Sequence, residues 1–292
     1  MKQNNLIKER ADIFYQLARV HTLSKADYNT SIDYLHRSIT LATDNELTTT
    51  LRDCYIQMGT IIIDQGLYTE GKAYYEKALS VNDQFGDKRA ATAIHKSLGN
   101  IFAKLGQFDD AIFQYHEGIE SARQSGDKKN ELGLLGELGT LYLNMGQYES
   151  AVSHYKKSLD LSIEIGDENS RHICIGNMAA AYKNLEQFDA AIANFETAVE
   201  YAVTIGNRKL EGLFLGNLGE CLEKVGDFHN AESKLVRAMK LCTESVPIAA
   251  TVFSGTLILV YAQQERHDDI KRLIEVDRTL LERYPLEHAK FL

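Results

Sequence analysis

The chain has 292 residues, 44% hydrophobic and 25% charged, with a formal net charge of −9 and two prolines; it can bury a core, and it is neither a loop-rich β-sandwich nor a disordered tail. An acidic chain without a basic stripe repels a phosphate backbone, and no apolar run approaches the roughly 18 residues of a membrane span, so neither nucleic acid nor membrane is an expected partner. No apolar h-region follows Met1-Lys2, and Cys54, Cys174, Cys221 and Cys242 show no CxxC spacing and no histidine pair at zinc-ligand distance, so the protein reads as cytoplasmic, with free thiols, no metal and no other cofactor.

Taken in chain order, the elements repeat. YQLARVHTLSKADYNTSIDYL from Tyr15 opens a pattern that continues in QGLYTEGKAYYEKAL from Gln65, LGQFDDAIFQYHEGI from Leu105, MGQYESAVSHYKKSL from Met145, LEQFDAAIANFETAV from Leu185 and VGDFHNAESKLVRAM from Val225. The last five begin 40 residues apart without an insertion. The first copy has one extra residue in its turn, and a last copy, LILVYAQQERHDDIKRLIE from Leu257, has one fewer. Gly86-Asp87, Gly126-Asp127, Gly166-Asp167 and Gly206-Asn207 recur in phase, each just before the next unit. The units read as residues 11–44, 52–85, 92–125, 132–165, 172–205, 212–245 and 251–284, with 285–292 as a tail, in one domain over 1–292.

Apolar residues at i, i+3, i+4 and i+7 make each unit two helices with one buried face. In the third unit Leu98, Gly99, Phe102 and Leu105 line the first helix, and Phe108, Ala111, Ile112, Tyr115 and Ile119 the second. Gly106 stops the first by taking positive φ, and Asp109 complements the dipole of the second. Ala111, Ala151, Ala191 and Ala231 face Gly99, Gly139, Ala179 and Gly219 where paired helices cross, so that the backbones can approach closely.

A small residue, an aromatic three later, a turn glycine, an aromatic two later, an alanine three later and an aromatic four later resembles the tetratricopeptide repeat. The fourth unit carries these as Gly139, Tyr142, Gly146, Tyr148, Ala151 and Tyr155, and the fifth carries Ala179, Tyr182, Phe188, Ala191 and Phe195. The family's usual unit is about 34 residues with an early Trp and a late Pro; the longer units here lack both, and their extra length should lie in the helices. Units of this kind are similar to those of spindle-orientation adaptors, kinesin light chains and bacterial peptide-pheromone receptors, all of which bind peptide segments. The resemblance implies an all-α, right-handed α-solenoid of about seven hairpins with first helices on a concave surface.

First-helix positions that stay polar in successive units are the candidate binding face. One column reads Gln57, Ser97, Glu137, Asn177, Asn217 and Thr256; a second Thr60, Asn100, Thr140, Ala180 and Glu220; a third Asp64, Lys104, Asn144, Asn184, Lys224 and Gln263. Amides carry both donor and acceptor and can pair with an extended backbone. The expected peptide-binding residues are therefore Lys96, Asn100, Lys104, Glu137, Thr140, Asn144, Asn177, Asn184, Asn217 and Glu220; the plainer alternative is a solvated helix face. Gly136, Gly176, Gly216 and Gly255 lie one residue before the first column, at about 1 kcal/mol each relative to Ala, and serve either close packing between units or a groove kept open. The family's carboxylate clamp matches only in part: Lys96 and Asn100 fit, whereas Glu137, Ile173 and Asn177 do not. Arg89 and Arg171 open their first helices and either reach a ligand carboxylate or pair with a neighbouring acid.

No phosphate loop, GxSxG or HExxH interrupts the repetition, so no catalytic residue is expected. The expected function is a non-catalytic adaptor with a protein or peptide ligand in the groove, basic residues being favoured by the acidic balance. One alternative is a peptide-sensing regulator whose ligand changes superhelix closure or oligomerisation. Another is a self-assembly module, or a segment of a larger protein, with a homodimer surface at a C-terminal end bearing Leu286, Phe291 and Leu292.

Overall fold

From α2 to α11 each helix of this chain stops at a residue that turns left-handed, and that residue recurs at a fixed interval. Positive φ is found at Glu46, Gly66, Gly86, Gly106, Gly126, Gly146, Gly166, Glu186, Gly206 and Gly226, one every 20 residues, and again at Glu265. At Gly126 the Asp127 N–H donates to Ala122 O at 2.8 Å and the Gly126 N–H to Arg123 O at 3.1 Å, the paired bonds of a Schellman turn that satisfy the last carbonyls of the helix. Gly106, Gly146, Gly166, Gly206 and Gly226 make the same pair of bonds, and so does Glu186. A non-glycine residue in this region costs roughly 1–2 kcal/mol.

The computed structural model describes residues 2–23 and 27–283, with side chains placed for 6–23 and 27–275. Leu286, Phe291 and Leu292, the expected apolar end and homodimer surface, lie outside the described residues. The chain divides at Leu141–Tyr142 into two compact units. The first holds α1 (Lys2–Leu23), α2 (Tyr28–Asp44), α3 (Thr48–Asp64), α4 (Tyr68–Asp83), α5 (Lys88–Lys104), α6 (Phe108–Ser125) and all but the last turn of α7 (Lys128–Asn144). The second holds α8 (Tyr148–Ile165), α9 (Glu168–Asn184), α10 (Phe188–Thr204), α11 (Arg208–Lys224), α12 (Phe228–Ser245), α13 (Pro247–Gln263) and α14 (His267–Arg283). The fold is all-α, of the solenoid class, with no strand among the described residues. From α3 onward the first helices begin four residues upstream of the repeat boundaries read from the sequence, at Thr48 and Lys88 rather than 52 and 92. Pro247 opens α13 one residue early, directly after Val246, which accounts for the shortened last copy.

The second residue of each Gly-Asp or Gly-Asn pair caps the helix that follows. Side-chain oxygens of Asp87, Asp127, Asp167 and Asn207 accept the backbone N–H of Ala90, Asn130, Ser170 and Leu210 at 3.0–3.1 Å. Asp87 also receives buried Arg52 of α3 at 2.8 Å, tying α3 to the start of α5.

In the first unit the α5–α6 crossing is tight: Ala111 is fully buried, and a Cβ on Gly99 would lie 2.5 Å from the Tyr115 ring. In the second unit Ala151, Ala179, Ala191 and Ala231 are fully buried, and Gly219 would meet Leu235 at 2.6 Å. The core of this unit runs through Phe195, Leu215, Leu218, Leu235, Phe253 and Leu257. The two readings of the helix-interior glycines resolve differently along the column. A Cβ on Gly176 would meet the Phe214 ring at 2.5 Å and one on Gly216 the Phe253 ring at 2.1 Å, so both glycines receive an aromatic ring from the following first helix; Gly255 has nothing within 4 Å.

Two outcomes follow. Gly216→Ala should lower stability by about 1–3 kcal/mol through overpacking, whereas Gly255→Ala, at the same repeat position, should raise it by about 0.5–1 kcal/mol through helix propensity; equal effects in urea unfolding would contradict the packing described. The carboxyls of Asp87, Asp127 and Asp227 are held below the usual carboxylate range, Asp87 first by the Ala90 N–H and then by Arg52, the other two first by an asparagine side chain three residues on. A depressed folded pKa contributes stability that is full above the unfolded value of about 3.9 and is lost as pH falls through the folded one. The melting temperature should therefore drop below about pH 4, and Asp87→Asn, which keeps the cap oxygen but cannot titrate, should make that drop shallower.

Candidate functional site

In the first unit, α5 places two of the expected residues together beside α3. Asn100 and Lys104 of α5, with Thr60, Asp64, Tyr75 and the apolar Ile63 and Ile101, line an open cavity of ≈ 280 Å³. The Tyr75 hydroxyl lies 2.9 Å from Thr60 Oγ1, and the Tyr115 hydroxyl donates to Asn100 Oδ1 at 2.6 Å. Burial, with the Glu137 carboxylate nearby, pushes the Tyr115 phenol well above its ordinary range, so it stays a donor. Lys96 is half-buried, its Nζ 3.9 Å from where a Cβ on Gly133 would stand. Glu137 and Thr140 of α7 are half-buried, and the Thr140 hydroxyl donates to Gly136 O of its own helix at 3.1 Å.

In the second unit, Asn144 and Asn184 are exposed and Asn177 half-buried. The Asn184 and Asn217 amide NH₂ groups donate to Ala180 O and Leu213 O of their own helices, both at 2.8 Å. One donor of each amide is therefore taken by its own helix. Asn217 Oδ1 accepts from Lys183 Nζ at 2.6 Å, and Lys183 also binds Glu220 Oε2 at 2.5 Å. This network borders a cavity of ≈ 320 Å³ that includes Asn184, Phe188, Glu220, Lys224, Thr256 and Leu259. The two cavities use the same repeat positions, 120 residues apart: Asp64 answers to Asn184, Tyr68 to Phe188, Asn100 to Glu220 and Lys104 to Lys224.

Lys183 was not among the residues expected from the sequence. Its column reads Ile63, Ala103, Leu143, Lys183 and Glu223, and the one signal available was a lone cation at a position that is apolar in the three preceding units. Arg171 pairs with Glu168 at 3.1 Å, the neighbouring-acid alternative. Among the described residues no group of three His, Cys, Asp or Glu could hold a metal, and no helix is long and apolar enough to cross a membrane.

All four cysteines are buried. Burial pushes the Cys54 and Cys221 thiols up to about 11 and raises those of Cys174 and Cys242; as the thiolate is the nucleophile, these are poor reactive groups.

The tetratricopeptide repeat model matches residues 52–124, 130–202 and 215–245, more than half of the chain. No curated protein matches it by sequence. Among solved structures, a signal transduction ATPase with numerous domains that carries a tetratricopeptide repeat sensor, from Pyrococcus horikoshii, is 17% identical with a TM-score of 0.80 over 98% of this chain and 45% of that one. The present chain thus spans less than half of that protein. The apo form of RapI is 14% identical with a TM-score of 0.71, over 95% of this chain and 77% of that one. A Rap protein complexed with competence and sporulation factor is also 14% identical, with a TM-score of 0.59 over 97% and 78%. At these identities the likeness shows the fold.

In the native state at pH 8 the four thiols should not react with a thiol-specific disulfide reagent over minutes, and all should react once the chain is unfolded; rapid native labelling would show that the hairpins open locally.

Proposed function

The chain belongs to the tetratricopeptide-repeat family, a scaffold of interaction repeats, and from that premise we propose that it is a non-catalytic adaptor holding an extended peptide or protein segment on its first-helix face. The observation that carries this reading is the recurrence of an open cavity at the same repeat positions in each unit, Asn100 with Lys104 in one and Glu220 with Lys224 in the other. Polar groups spaced by a fixed repeat suit a ligand whose own groups recur along an extended backbone. The acceptor oxygen of Asn184 suits a backbone N–H donor, and Lys96 and Lys104 suit carbonyl or carboxylate oxygens. Glu137 and Thr140 lie in the polar first-helix columns of the first unit, and Asn144 and Asn177 in those of the second.

A second reading, a peptide-sensing regulator, is favoured by the fold likeness to a repeat sensor and to a Rap protein in complex with a factor. An adaptor keeps its radius of gyration when loaded, whereas a sensor compacts or changes its oligomeric state. The decisive experiment is capture from source-cell lysate by the wild type and by Asn177→Ala/Asn184→Ala, followed by titration of the captured segment as a synthetic peptide. The variant should bind at least about tenfold more weakly, about 1.4 kcal/mol, at an unchanged melting temperature; equal binding would move the function off this face.

A further inference from the structure

Resting on the groove reading, and naming the chemistry of one of its cavities, we propose that the cavity beside Lys183 is a seat for a lysine or arginine side chain of the bound segment, and that Lys183 occupies this seat until the segment arrives. Asn217 Oδ1 and Glu220 Oε2, one turn apart on α11, converge on the Lys183 ammonium at 2.6 and 2.5 Å. With its NH₂ donating to Leu213 O, the Asn217 side chain turns its acceptor oxygen toward the Lys183 ammonium. Two converging acceptors, one of them a carboxylate, answer a cation with several N–H donors and repel an anion. Phe188, Leu259 and Thr256 border the adjoining space of ≈ 320 Å³, giving the methylene stem of a long cationic side chain apolar surface to lie on.

Charge and repeat position point the same way. Glu186, Glu220 and Glu223 line the cavity with Lys183 and Lys224, so if Lys183 swings into water three carboxylates face one lysine, and an incoming cation restores the balance. The fold does not require a lysine here, since Ile63, Ala103 and Leu143 stand at this position in other units. In the equivalent cavity of the first unit, Ile63, Ser97 and Asn100 replace Lys183, Asn217 and Glu220; at the Lys183 and Glu220 positions the cation and the carboxylate are absent together. The Lys183 and Glu220 side chains remain 24% and 20% exposed, so the internal ammonium can exchange with water or with a competitor. A seat already filled lowers the apparent affinity of the incoming group by the fraction of time it is open.

The test is titration of the full chain with Nα-acetyl-arginine N-methylamide, the uncharged norleucine analogue serving as control. Lys183→Ala should bind the arginine amide at least about tenfold more tightly than the wild type, the control should not bind, and adding Glu220→Gln should abolish the gain. A folded Lys183→Ala chain with no saturable binding, or with binding that survives Glu220→Gln, overturns the proposal. If Lys183→Ala loses native helicity, the wild type against Glu220→Gln decides: saturable binding lost in Glu220→Gln supports the seat, and no binding by the wild type overturns it. Should the seat fail while Asn177→Ala/Asn184→Ala still weakens the captured segment, the cation chemistry falls and the groove reading stands.

Discussion

A left-handed residue every 20 positions is the constraint on which the rest depends. The Schellman bonds at that residue satisfy the last carbonyls of one helix, and the next residue or two begin another, often with a side-chain cap. Helices of nearly equal length result, 16–18 residues from α2 to α14, so that first and second helices present their apolar faces in a constant register. Small residues at the crossings then decide how closely the backbones approach, and aromatic rings such as Tyr115, Phe214 and Phe253 fill what the glycines leave open.

Within this frame the polar first-helix positions divide into two kinds. Some give a donor to a carbonyl four residues back on their own helix, as Thr140 and Asn184 do. Others tie neighbouring first helices together, as Lys183 does from α9 to Asn217 and Glu220 on α11. A pair of this kind, half-buried and hydrogen-bonded, offsets much of its desolvation cost and leaves a modest net stabilisation. It is better suited to fixing the geometry of a binding surface, and to yielding to a competitor, than to holding the fold.

Three glutamates occupy left-handed positions, Glu46, Glu186 and Glu265. At Glu46 and Glu186 the 20-residue interval is kept although the residue is unfavourable there, which shows that the surrounding helix packing over-determines the turn. Glu186 also borders the second-unit cavity, so a carboxylate stands there at the expense of backbone comfort.

Periodicity, turn glycines and crossing alanines were legible in the sequence because each is a local property repeated many times: helix period, left-handed tolerance and side-chain size do not depend on distant partners. That much determined the family, the all-α class, the number of helices and the first-helix columns. Which glycine receives a ring and which lies open, as Gly216 and Gly255 do, was decided by the side chain that the following helix brings over it. The same holds for Lys183, one long cationic side chain in a column that is apolar at Ile63, Ala103 and Leu143, whose partners stand 34 and 37 residues away on another helix. A repeat read along the chain gives the positions that share a face. Only tertiary packing decides which of their donors and acceptors are already taken, because that depends on the rotamers and neighbours that meet across the stack.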